Sequence, residues 1–230
     1  MNILQEKLDF LIQKYSVDVK AELKDAKSVM IDGHDVPLLS HRSERRFIEL
    51  KNIANNGTLV GVSVMRTARI IKKGSDIYEA LYRELDLCQY ILGRNIKSIM
   101  VMENENTLNA IAKTDDDIVC TIEIGATLKK GDTPIDKHEI IAQHGIACDV
   151  VVDAQLKQDS IYIFGENNKK YTDVDFELYG LSIDEIAIVR AAFSIAQNKN
   201  YSEMIDTDKN LCKLVEMAKK SAKSGEREVM

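Results

Sequence analysis

Glu79, Arg83, Asp86 and Tyr90 stand at i, i+4, i+7 and i+11, so one face of a helix would carry two carboxylates, a guanidinium and a phenol. With Arg66 and Arg69 nearby in sequence, such a face can hold an anionic group. Arg83 keeps its proton at any ordinary pH and cannot act as a base. The same spacing also describes a solvated helix face, whose Glu79–Arg83 pair would contribute a few tenths of a kcal/mol. His138, His144 and Cys148 fall on one face of a strand read over 137–153. At about 3.3 Å per residue, His138 and His144 would lie about 20 Å apart, and His144 and Cys148 about 13 Å. One ion cannot take two of them, so packing or hydrogen bonding is expected and no metal centre. His34 with Asp32 and Asp35 is a local loop cluster that a metal or an anion would fit, and His41 beside it has no sequence partner. Asp115, Asp116 and Asp117 read as turn chemistry ahead of a strand. Arg42, Arg45 and Arg46 would suit a phosphate, but Glu44 and Glu49 interleave, which favours a salt-bridged surface.

Other chemistries are excluded by what is missing. There is no GxGxxG, no GxxxxGK[ST], no GxSxG, no HExxH and no kinase signature among the 230 residues. Thirty-one Lys and Arg stand against 37 Asp and Glu, a net charge of −6, with no block of one sign. Nucleic-acid binding is therefore not expected. No apolar run approaches the ~20 residues of a membrane span, and MNILQEKLDF lacks a basic signal-peptide start. Cys88, Cys120, Cys148 and Cys212 are scattered without a CxxC, as expected of reduced thiols in a cytoplasmic protein.

Apolar periodicity then places these residues on elements. Leu4, Leu8, Leu11 and Tyr15 predict a helix over 2–15; SVMI at 28–31 predicts a short strand, and 33–39 a loop. A helix over 43–55 stops at Asn55-Asn56-Gly57, and 58–66 reads as a strand. A helix opening at 74–76 carries Ile77, Leu81, Leu85, Cys88 and Leu92 on one stripe and ends at Gly93. Thereafter the period changes to two, predicting strands at 97–103, 107–114, 117–128, 137–153 and 159–165, with turns at 103–106, 115–116, 129–133 and 165–168. Ser182 with Glu185 is a capping box opening a helix to Ala196, and a last helix runs over about 208–223. The order predicts an α+β fold: an antiparallel meander of five or six strands with helices on one face. Ile122, Ile124 and Ile140 are assigned to the uncovered face, which would serve as a subunit interface.

Four segments carry a resemblance. RRFIELKNIANNGTLVGVSVMR, ELDLCQYILGRNIKSIMVM, KTDDDIVCTIEI and NLCKLVEMAKKSAKSGEREV resemble, in order and spacing, landmarks of the C-terminal domain of the Gfo/Idh/MocA-type oxidoreductases, over about 42–229. The resemblance implies an open-faced, mainly antiparallel sheet backed by helices, forming the substrate side of a cleft and a homo-oligomer, most simply a dimer, through the open face. It divides the chain into a helical extension at 1–41, the relic of a nucleotide-binding Rossmann domain, and an oxidoreductase-like domain at 42–230. It also implies a catalytic helix reading GGxxxDxGxHxxD. Aligned through Asp86, the Asp position holds Glu79, the Gly holds Leu81 and the His holds Arg83. Proton transfer near neutral pH needs a group that titrates there, which His does and Arg does not. The expectation is a stand-alone domain, not catalytic by itself and without a cofactor of its own. It would bind a small polar or anionic ligand through Arg66, Arg69, Arg83 and Tyr90, or a protein partner. The alternative is an NAD- or NADP-dependent sugar or polyol oxidoreductase whose Rossmann domain comes from another chain, with Glu79, Arg83 and Asp86 facing the shared cleft.

Overall fold

The computed structural model describes residues 2–149, 161–163, 169–171 and 175–230. In chain order the first elements are α1 (Asn2–Lys14), β1 (Ala21–Leu23), β2 (Ser28–Ile31), β3 (His34–Pro37), α2 (Arg45–Asn55), β4 (Val62–Lys72) and α3 (Ile77–Leu92). There follow β5 (Ile96–Asn104), β6 (Thr107–Thr114), β7 (Val119–Leu128), β8 (Ile135–Ala142), β9 (Gly145–Cys148), β10 (Ile161–Ile163) and β11 (Lys169–Tyr171). The chain closes with α4 (Ile183–Asn198), α5 (Tyr201–Ser224) and β12 (Glu228–Val229). Among the described residues no helix is long and apolar enough to cross a membrane.

The described residues divide into two compact units. One comprises those up to Ser40 together with those from 161 to 201. Its helix α1 buries Leu4, Leu8 and Leu11, and packs on α4 and β1. Strands β1, β2 and β3 form a small antiparallel sheet. The segment 33–39, expected as a loop, thus contains a strand. Asp32 (φ 49°) and Gly33 (φ 86°) make the tight turn that returns it along β2, and Val36 is its single fully buried side chain, too little alternation to be read as a strand. The capping box at Ser182 forms as expected.

The second unit, 41–149 with 202–230, holds a seven-stranded sheet in the order β12-β5-β6-β7-β4-β8-β9. The α+β class holds, but the strands do not form a simple meander. β4 lies between β7 and β8, parallel to the first and antiparallel to the second. Neighbouring strands in sequence usually pair, and period-two patterning carries no trace of a strand inserted from earlier in the chain. The run 137–153 is likewise a correction. It turns back at Gln143-His144 as the β8–β9 hairpin, pairing Glu139 with Cys148, and 150–153 lies outside the described residues, as does the turn at 165–168. On β4 the pairing starts at Val62 and continues through Arg69 and Lys72, later than the expected 58–66.

Register decides which face each side chain takes. Met65, Thr67 and Arg69 on β4 align with Cys120, Ile122 and Ile124 on β7 and with Ile140, His138 and Asp136 on β8. Ile122, Ile124 and Ile140 are buried, on the face with Met65 and Thr67. The uncovered face therefore carries the other parity: Ile111, Ile135 and Ile146, all exposed, and the Arg66–Glu123 pair. The helix α3 is capped at both ends, by the Asp76 carboxylate accepting from the Tyr78 and Glu79 amides and by Gly93 at φ 66°. Burial wraps almost round it, including Glu84, Asp86 and Gln89.

Candidate functional site

Charged side chains from α2, α3, β4, β8 and the end of β9 converge within the second unit. Asp86, fully buried, accepts Nε and Nη of Arg42 at 2.8 and 2.5 Å and faces His41 Nε2 at 2.6 Å. Burial alone would push its carboxyl up. The hydrogen bonds to His41 and Arg42 outweigh that and hold it below the ordinary aspartate value. Two cations lie over the Tyr90 ring, the Arg42 guanidinium 5.1 Å and the Lys51 Nζ 4.1 Å from its centroid.

One turn earlier, Arg83 turns inward. Its Nη1 donates to Glu84 at 2.6 Å and to Asp136 at 3.1 Å, and its Nη2 to Asp136 at 3.0 Å and Glu44 at 3.3 Å. Asp136 also receives Arg46 at 2.5 Å and Arg69 at 3.2 Å. Despite burial, these cations keep Asp136 ionised far below the ordinary range. The Glu84 carboxylate, fully buried, is likewise depressed against its desolvation, by His138 and Arg83.

His138 occupies the centre. Its Nδ1 is 2.7 Å from Asp149 and its Nε2 2.9 Å from Glu84, while its backbone N–H donates to Asp149 at 2.7 Å. Burial disfavours the imidazolium, but two flanking carboxylates win and raise its pKa to about 9. The Phe47 ring stands edge-on to His138 at 4.7 Å and has the guanidiniums of Arg46 and Arg83 at 4.3 and 5.2 Å. With His138 protonated, Glu44, Glu84, Asp136 and Asp149 are balanced by Arg46, Arg69, Arg83 and His138. A buried network on this scale is tolerable because each ion has partners.

The sequence-derived candidates separate accordingly. Arg69, Arg83 and, in a neighbouring pair, Asp86 are drawn inward together. Arg66 sits on the opposite face of the sheet with Glu123 at 3.0 Å, and Glu79 is exposed at the start of α3. The solvated-face reading fails for Arg83 and Asp86, whose side chains keep 14% and 0% of their accessibility. Glu44, Arg46, Glu84, Asp136 and Asp149 were not expected in a common site. Signals in the sequence could have found two of them: Glu84 interrupts the apolar stripe between Leu81 and Leu85, and Asp136, with His138, shares the parity of buried Ile140. His34 pairs with the Tyr201 ring at 5.5 Å in the other unit.

No family profile and no curated protein matches the sequence. Solved structures do. A myo-inositol 2-dehydrogenase from Lactobacillus plantarum matches 84% of this chain at 14% identity and a TM-score of 0.60. A scyllo-inositol dehydrogenase from Lactobacillus casei, solved with NAD(H) and scyllo-inositol, matches 83% at 11% identity and 0.59. The fold is that of the Gfo/Idh/MocA-type dehydrogenases. A myo-inositol dehydrogenase from Lactobacillus casei, with NAD(H) and myo-inositol bound, shares it at 14% identity, 84% coverage and a TM-score of 0.57. The chain spans only 60–63% of the length of these three dehydrogenases.

Proposed function

We propose that this chain is an oxidoreductase-like domain that performs no proton-coupled hydride transfer of its own and assembles with a second copy through the open face of its sheet. The observation that supports the first half is the state of Arg83. Where the resemblance places a proton-transferring histidine there is a guanidinium held by Glu44, Glu84 and Asp136. It offers no base, and both of its Nη groups already donate to carboxylates. Of the two occupants expected from sequence, a small anion and a protein partner, the partner is favoured, because Arg69 and Arg83 already hold carboxylates and an anion would have to displace them.

Support for self-association comes from the exposed face itself. Met102 is 63% exposed, Ile111 45% and Ile146 64%, beside the Arg66–Glu123 and Lys137–Glu139 pairs. A patch carrying apolar residues and both signs of charge is self-complementary, as a two-fold interface requires. Sedimentation of the full chain should give a dimer, and Ile111→Asp should shift it to monomer without changing its circular dichroism. A wild type that stays monomeric at high micromolar concentration removes this half of the reading.

The catalytic half is tested by titrating NADH and NADPH while following nicotinamide fluorescence and thermal unfolding. A ligand at a hundred times its dissociation constant adds ~2.7 kcal/mol to the folded state. No response at millimolar cofactor is expected. Micromolar binding would replace the proposal with the alternative, an NAD(P)-dependent sugar or polyol oxidoreductase.

A further inference from the structure

We propose that Glu84, Asp136 and His138 form a binding site for a divalent metal ion of the Zn2+ type, which ties α3 to β8. One carboxylate oxygen each of Glu84 and Asp136 and a ring nitrogen of His138 lie within 4.8 Å of one another. From His138 Nε2, Glu84 Oε2 is 2.9 Å away and Asp136 Oδ1 3.7 Å. Ligands each about 2.1 Å from a shared ion are separated by about 3.0–3.5 Å, so small side-chain adjustments close the polyhedron. One imidazole with two carboxylates is a donor set that Zn2+ accepts.

Each ligand is also oriented from behind. Glu84 Oε1 accepts from Arg83, Asp136 Oδ2 from Arg46 and Arg83, and His138 Nδ1 faces Asp149. Arg83 Nη1 also donates to Asp136 Oδ1 at 3.1 Å, a hydrogen bond that the ion would replace. Asp149 is itself fixed by the His138 amide and by Arg46 at 3.2 Å. A carboxylate behind the non-ligating nitrogen of a histidine is the usual outer support of a metal-bound imidazole. A second, independent observation concerns Thr67, directly paired with His138 on the same sheet face. Its hydroxyl is fully buried and has no hydrogen-bond partner among the described residues. Side chains so paired have Cβ atoms about 4.5–5.5 Å apart, which brings this hydroxyl within reach of the ion or of water bound to it.

The test is calorimetric titration of the EDTA-stripped full chain with Zn2+ at pH 8. One saturable site per chain is expected. Asp136→Asn should weaken it at least about 10-fold, and Asp149→Asn, which touches no metal, about 10–100-fold. A control carrying His34→Ala, His144→Ala, Cys148→Ser and Cys212→Ser, which removes the exposed histidines and thiols, should bind as the wild type does. Absence of saturable binding overturns the proposal, as does affinity unchanged in both aspartate variants. Co2+ loading of the wild type decides the matter without any variant: ligand-field bands without thiolate charge transfer are expected, and a thiolate band would move the ion to a cysteine and sink the assignment.

Discussion

Arg83→Met is expected to lower the folding free energy by about 3–5 kcal/mol, read from the urea midpoint and its slope. The loss does not come from the arginine's own contacts as such. It comes from Glu84, fully buried, and Asp136, which would keep their charges with fewer partners. Arg83→Lys should recover only part of the loss, since a single ammonium cannot place parallel donors on Glu44, Glu84 and Asp136 at once. Converting Glu84 and Arg83 together to Met should be milder than Arg83→Met alone, because no uncompensated charge is left behind on α3. An Arg83→Met variant within about 1 kcal/mol of wild type would mean that water reaches the network and that the site is an ordinary solvated surface.

Stability should also fall as pH rises, opposite to the trend set by the carboxylates. His138 is raised from 6.5 to about 9 on folding. Its contribution is fully present below pH 6.5 and is lost as pH climbs through 9, amounting to up to about 3 kcal/mol. Glu84, Asp86 and Asp136 are depressed, so theirs is present above the ordinary carboxylate range and lost on acidification. The two slopes leave a stability maximum near pH 5–6.5. Urea midpoints measured in EDTA from pH 5 to 10 should trace the alkaline decline, and His138→Gln should flatten it. An alkaline limb equally steep in that variant would assign the decline to other groups.

Much of this architecture was legible because local signals and tertiary demand agree. The Asp76 cap, the Leu81–Leu85–Cys88 stripe and Gly93 bound α3 correctly, and β6 was read to the residue. Of the readings that failed, three did so for separate long-range or local reasons. The β8–β9 turn is made by Gln143 and His144, with Gly145 (φ 140°) only after it, so no turn residue interrupts the apolar run. The place of β4 in the sheet is a long-range fact with no local trace. The assignment of Ile122, Ile124 and Ile140 to the open face was a parity error, and a one-residue shift in register is enough to invert every side chain on a strand. The ion network was hidden for the same reason that it is stable. Its members are drawn from 41–46, 69, 83–86, 136–138 and 149, and each looks locally like a surface charge until the sheet brings them together.

The position of β4 has a consequence for the protein while it is being made. β4 is complete at Lys72, but its two sheet neighbours end at Leu128 and Ala142. At about 5–20 residues per second, the nascent strand waits for several seconds with both edges open. Exposed edges of that kind invite pairing with other chains. Arg66, Arg69, Lys72 and Lys73 lie along this segment, and charge on an unpaired strand is the usual guard against such encounters. On the ribosome, then, Arg69 protects a strand; in the finished fold it holds Asp136.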